Sequence, residues 1–94
     1  MALILGVSRG ARIYIGDEPL DVVETHGYTS IVVKVAGQTF TLTPEKSIEV
    51  LPSVMVSVGM PKGPKLHTYS RLVFDAPEEV AILRAELYEG RGVD

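Results

Sequence analysis

The stretch RLVFDAPEEVAILRAELYEG, residues 71–90, shows how this chain is built. Together with the residues just before it, the stretch predicts a strand, a tight turn, a second strand and a short helix, at Leu66–Phe74, Ala76-Pro77, Glu79–Leu83 and Ala85–Glu89. A single arginine, Arg84, stands where the second strand ends and the helix begins. A cation at such a junction is either a surface ion-pair partner of Asp75 or Glu86, or a binding residue.

Alternation of apolar and polar residues continues through the rest of the chain and predicts seven further strands. They are Leu3–Val7, Arg12–Ile15, Leu20–Glu24, Ile31–Val35, Thr39–Leu42, Ile48–Leu51 and Val54–Val58. About nine strands, with no helix of ten residues between them, exclude a parallel α/β fold. We expect an all-β fold that hides its strand edges in a barrel or in two stacked sheets. Thr43-Pro44-Glu45 is either the first turn of a helix or a loop.

The composition limits the class of protein. The chain has 94 residues, which suits one compact domain, and 46% of them are hydrophobic. It contains no cysteine and only two histidines, so we expect no disulfide framework and no metal site. No nucleophile motif surrounds its serines, and GVSRGAR lacks the ending of a phosphate loop, so we predict no enzymatic activity and no cofactor. Without a long apolar run or a signal peptide, the expectation is a cytoplasmic protein that does not contact membranes.

The charges are unevenly distributed along the chain. Nine basic and twelve acidic residues give a net charge of −3, which by itself argues against nucleic-acid binding. Yet residues 1–16 carry Arg9 and Arg12 without any acid, and residues 50–74 carry only basic charges, on Lys62, Lys65 and Arg71. The chain can therefore fold with one basic face, although ordinary solvated surface explains the same pattern.

The segment DAPEEVAILRAELY resembles the C-terminal signature of the carbon storage regulator (CsrA/RsmA) family, small bacterial RNA-binding proteins that repress translation. In that family an Ala-Pro turn precedes a strand that ends in an arginine, followed by an acidic residue, an aliphatic residue and a tyrosine. The matching residues here are Ala76-Pro77, Val80–Leu83, Arg84, Glu86, Leu87 and Tyr88. The N-terminal segments LIL and IYIGDE, at Leu3–Leu5 and Ile13–Glu18, are similar to the family's first two strands.

The resemblance implies a CsrA-like antiparallel β-sandwich or barrel with a short C-terminal helix, as one domain over residues 1–94. Family members are intertwined homodimers of ten strands, in which the first strand of one chain lies beside the fifth of the other. This chain is longer than the family, and two readings explain the excess. Either residues 19–53 are an insertion into a homodimer with two sites, or the chain is a fused pair, about 1–47 and 48–94, that forms a monomeric pseudo-dimer. In the fused reading TFTLTP is a degenerate fifth strand of the first unit.

The family binds single-stranded GGA loops of RNA hairpins, which implies a post-transcriptional regulator. Arg84 occupies the position of the family's key arginine. A planar guanidinium suits this role because it engages a phosphate or a guanine edge, or stacks on a base. The other residues that the resemblance assigns to RNA are the apolar Leu5, Ile82 and Val80 and the basic Arg9, Lys62 and Lys65.

The chain departs from the family pattern at positions that carry charge. The family has two arginines just after its first strand, where this chain has Val7 and Ser8, and Arg9 follows one residue later. The residue before Arg84 is Leu83, where the family has a histidine. Each lost phosphate contact weakens RNA binding. The alternative function is therefore a protein-interaction module that keeps the CsrA-like fold and has lost RNA binding.

Overall fold

The structure is a computed structural model that describes residues 2–60 and 70–86. Nine strands lie in these ranges: β1 Ala2–Val7, β2 Arg12–Ile15, β3 Glu18–His26, β4 Ser30–Val35, β5 Gln38–Leu42, β6 Ile48–Leu51, β7 Val54–Val58, β8 Ser70–Asp75 and β9 Ile82–Arg84. The all-β prediction is confirmed. Strands β2, β6 and β7 have the predicted bounds, and the predicted start of β8 lies outside the described residues.

The last strand differs from its prediction. It begins at Ile82 instead of Glu79, and it includes Arg84. The amide of Val80 donates a hydrogen bond to the carbonyl of Pro77 at 3.0 Å, so the Ala-Pro turn continues through Val80. Alternation alone cannot separate a strand from a turn whose residues are also apolar.

The strands form two open antiparallel sheets and no closed barrel among the described residues. One sheet has four strands in the order β1-β8-β7-β6, and the other has five in the order β5-β4-β3-β2-β9. A shared core lies between them, with side chains of both sheets fully buried, among them Phe74 and Leu72 from one sheet and Ile13, Leu20 and Ile31 from the other. The alternating burial of β7 and β8 shows why period-two sequences form these sheets, since every second side chain faces the core.

The two halves of the chain exchange strands. Strands β2-β3-β4 and β6-β7-β8 are two consecutive antiparallel meanders, one in each sheet. The strand that precedes each meander pairs with the last strand of the other one: β1 pairs with β8, and β5 pairs with β4. The final strand β9 also crosses over and pairs with β2. The two sheets are therefore interlocked through the chain itself.

Just before each meander, two residues three positions apart in sequence are hydrogen-bonded or bridged to each other. The amide of Ala11 donates to the carbonyl of Ser8 at 3.0 Å in the turn before β2, and Thr43 and Lys46 form a bridge before β6. Thr43-Pro44-Glu45 is thus a loop and not a helix. Two residues after each of these turns stands an isoleucine, Ile13 after Ala11 and Ile48 after Lys46. Each isoleucine pairs with the next strand of its meander. Strands β1 and β2 therefore correspond to β5 and β6.

Only the first residues of the expected C-terminal helix are described. Ala85 and Glu86 are helical, and Leu87–Tyr88 and the residues after them lie outside the described part of the chain. Within the described ranges, no helix has the length and apolar character needed to cross a membrane.

Candidate nucleic-acid interface

The first and last strands meet at a cavity between the two sheets. Strand β1 is at the edge of the four-stranded sheet, and β9 is at the edge of the five-stranded sheet. Leu3 of β1 lines a cavity of about 240 Å³ together with residues of the last turn and strand, namely Ala76, Pro77, Glu78, Val80, Ala81, Ile82 and Leu83. The cavity brings together Val80 and Ile82, two of the apolar residues singled out in the sequence.

Arg84 lies at the end of β9, directly opposite Ile13 of β2. Opposite residues of antiparallel strands share a face, and Ile13 is fully buried, so the Arg84 stem starts from the inner face of the sheet. Its side chain is half-buried, as is common for arginines whose apolar stem is covered while the guanidinium reaches water. Ile82 lies two residues earlier on the same face, so Arg84 extends from the end of the cavity wall.

The ion pairs that the sequence offers as an alternative role for Arg84 are not formed. The salt bridges among residues 2–60 and 70–86 join Arg12 to Asp21 and His26 to Glu24. Neither Asp75 nor Glu86 pairs with Arg84 within these ranges. The guanidinium of Arg84 thus has no carboxylate partner in the described part of the chain.

The two N-terminal arginines differ in their surroundings. Arg12 binds the carboxylate of Asp21 through two nitrogens, at 2.6 and 3.2 Å, and this hydrogen bonding raises the pKa of the Arg12 guanidinium. Arg9 is exposed in the turn between β1 and β2 and has no such partner among the described residues. Because Ile13 lies opposite Arg84, this turn is at the same end of β2 as Arg84.

Leu5 lies on β1, two residues after Leu3 and on the same face of the strand. It is half-buried and packs against the core, opposite the fully buried Leu72. Its neighbour Ile4 points to the other face of β1 and is 57% exposed. The sequence placed Leu3 in the segment expected beside the last strand, but it did not show that Ile4 is exposed, because a strand of consecutive apolar residues does not reveal which side chains face the core.

Lys62 and Lys65 lie outside the described residues. The remaining site residues come from four places: β1, the turn after it, the Ala-Pro turn and β9. Comparison of the chain with protein-family models, with curated proteins and with solved structures gave no match.

Proposed function

We propose that this chain is an RNA-binding protein of the CsrA type, with one binding site where β1 meets β9. The observation that supports this is the cavity shared by Leu3 of β1 and Ile82 of β9, beside Arg84. The resemblance in sequence implies a site formed by a first strand and a fifth strand from different units. Such a site requires the first and last strands of this chain to lie next to each other.

The fused-pair reading agrees with the strand exchange. Each meander receives the strand that precedes the other, as expected of two units folded as an intertwined dimer and joined in one chain. The correspondence of β5 with β1 makes TFTLTP the first strand of the second unit instead of a degenerate fifth strand of the first. On this proposal the units join near the Ala36-Gly37 turn, not near residue 47.

The site's chemistry suits a single-stranded loop. Both β1 and β9 are edge strands, so each has backbone N–H and C=O groups directed away from its one partner, and unpaired bases use such groups. The apolar cavity accommodates the face of a base, while Arg84 and Arg9 supply the positive charge for a phosphate or guanine. Only one such site forms because no described strand occupies the place on β6 that β9 occupies on β2.

A protein-interaction module is the second candidate. The exposed Ile4 on β1 favours it, as does the net charge of −3. The two candidates differ in what they predict for Arg84, because a protein contact through Ile4 does not need an RNA-binding guanidinium.

The test is binding of a labelled hairpin with a GGA loop to the wild type and to Arg84→Ala at moderate salt. We expect the substitution to weaken binding about 10- to 100-fold, as for an arginine that contacts a base. Lys34→Ala is the matched control: it removes an exposed cation on β4, which β3 and β2 separate from β9, and we expect less than about a twofold change. A wild type that does not bind the hairpin, or equal losses in both variants, contradicts the proposal.

A further inference from the structure

Arg71 of β8 stands beside the edge strand of the four-stranded sheet. It lies directly opposite Gly6 of β1, and no strand of the described ranges pairs with the other side of β1. The neighbours of Arg71 along β8, Ser70 and Leu72, are buried, so Arg71 is on the outer face of the sheet. One glycine therefore separates the Arg71 side chain from the free edge of β1.

The space around Arg71 is closed on the β7 side and open on the β1 side. Towards β7, the amide of the buried Gly59 donates to the carbonyl of Arg71 at 2.8 Å. A Cβ atom at Gly59 would lie 3.3 Å from the Arg71 Cβ and from a methyl carbon of Val73. A Cβ atom at Gly6 would meet no heavy atom within 4 Å apart from its own chain neighbours. Neighbouring strands are about 4.8 Å apart, and an extended arginine side chain is longer than this, so the Arg71 guanidinium can reach across Gly6 to the free edge.

The surroundings of Arg71 leave its charge available to an anionic ligand. The salt bridges within residues 2–60 and 70–86 do not include Arg71. The next pair of opposite residues on this outer face is Ile4 and Val73, and both are apolar. The first acid on the same face of β8 is Asp75, four residues along the strand, a separation of about 13 Å.

Arg71 lies near the same end of the proposed RNA site as two other arginines. Gly6 is the next-to-last residue of β1, and the turn after β1 contains Arg9. This turn is at the end of β2 where Arg84 pairs with Ile13. Cations from β8, from the turn after β1 and from β9 therefore lie towards one end of the site, which suits a phosphate chain that continues beyond the loop.

We propose that Arg71 binds a backbone phosphate of the same RNA by extending across Gly6 to the free edge of β1. This inference rests on the proposed function and adds a residue that supplies affinity without reading the sequence, because a phosphate contact is the same for every base. The phosphate belongs to a nucleotide next to the GGA loop, since the loop itself occupies the cavity lined by Leu3 and Ile82.

The test compares wild type and Arg71→Ala in binding the GGA hairpin and the same hairpin with CCU in the loop. We expect Arg71→Ala to weaken binding of both hairpins by the same factor, about threefold to tenfold at moderate salt, and to lower the slope of log K against log salt by about 1. Arg71→Lys keeps the charge and should keep the slope. Lys34→Ala, which removes a cation from the outer face of the other sheet, is the control and should change affinity less than about twofold.

A second variant tests the route across Gly6. Gly6 does not have a positive φ, so valine suits the strand at this position and fills the open space beside Arg71. Gly6→Val should weaken binding as much as Arg71→Ala does, and it should cause no further loss in the Arg71→Ala background. Equal losses in both backgrounds overturn the route, because the valine then obstructs the RNA itself. Urea unfolding establishes that each variant is folded.

The outcomes separate this inference from the proposed function. If the wild type binds and Arg84→Ala weakens binding, but Arg71→Ala changes neither affinity nor slope, the Arg71 contact alone is overturned. If Arg71→Ala alters the preference for GGA over CCU, Arg71 contacts a base and the phosphate contact is overturned. A wild type that does not bind the hairpin overturns both proposals.

Discussion

Leu3 and Ile82 line the same cavity, although their strands belong to different sheets and lie almost at opposite ends of the chain. No strand pairing joins β1 to β9, and residues of both strands line the cavity between them. The cavity between these two edge strands is apolar, and Arg84 beside it has no carboxylate partner in the described ranges. The outer faces of the sheets do not combine these two features. The first two predictions below follow from this relationship.

Ile82→Ala enlarges the cavity and removes apolar contact beneath a bound base, so we expect RNA affinity to fall about fivefold to tenfold. Ile48→Ala is the matched control because Ile48 is also a half-buried isoleucine packed on the core, but in β6. Both variants should lose similar stability, on the order of 1–3 kcal/mol in urea unfolding. Equal RNA affinity of the two variants would show that the cavity has no part in binding.

The salt dependence of hairpin binding separates the arginines. Arg84→Ala and Arg9→Ala should each reduce the slope of log K against log salt by about 1, because each removes one cation that meets RNA. Arg12→Ala should leave the slope unchanged, because that guanidinium is held by Asp21. Titrations at three or more salt concentrations give the slopes. A slope that changes only in Arg12→Ala would place the RNA on the other side of the turn.

The Ala36-Gly37 turn between β4 and β5 offers a stability test that is independent of function. Ala36 has φ of 52° and Gly37 has φ of 82°, the left-handed conformations of a two-residue hairpin turn. Asparagine tolerates this conformation better than alanine, so Ala36→Asn should stabilise the protein by about 0.5–1 kcal/mol in urea unfolding. Ala81→Asn is the control at an exposed residue without positive φ, where no gain is expected. A loss at Ala36 would contradict the turn geometry.

The fused-pair proposal predicts a monomer. Small-angle scattering or light scattering should give a mass near 10.2 kDa that does not change with concentration. Strand exchange within one chain satisfies the pairing that a dimer of shorter chains obtains from its partner. A stable dimer at micromolar concentration would favour the insertion reading, with residues 19–53 as an addition to a homodimer.

The strands themselves were predictable, and their ends were less so. Segments such as Val54–Val58 alternate cleanly because one face of each strand is buried and the other is not. The start of β9 was misplaced because Val80 is apolar yet hydrogen-bonded in a turn. The partner of the strand in TFTLTP was not predictable, since its strand pattern says nothing about which strand it pairs with, and the structure pairs β5 with β4.

The site was predictable only in part, because the sequence shows where a residue stands along its strand but not which residue lies opposite it. Arg84 was singled out by its position at a strand end, and its lack of a carboxylate partner in the described ranges became visible only in three dimensions. Arg9 and Arg12 look equivalent in sequence, but Asp21 on β3 lies directly opposite Arg12 and forms an ion pair with it. Leu5 and Ile4 look equivalent too, and the register with β8 decides that Leu5 packs on the core.

By itself, the sequence determined that this protein is all-β, where most of its strands lie and which ones have a buried face, because the side-chain period of a strand is a local property. Only the tertiary structure decided that β1 leaves its own meander for β8, that β9 pairs with β2, and that Leu3 and Ile82 meet. Pairing depends on which distant edges become available when the two sheets bury a common core, and a local pattern of residues does not encode that choice.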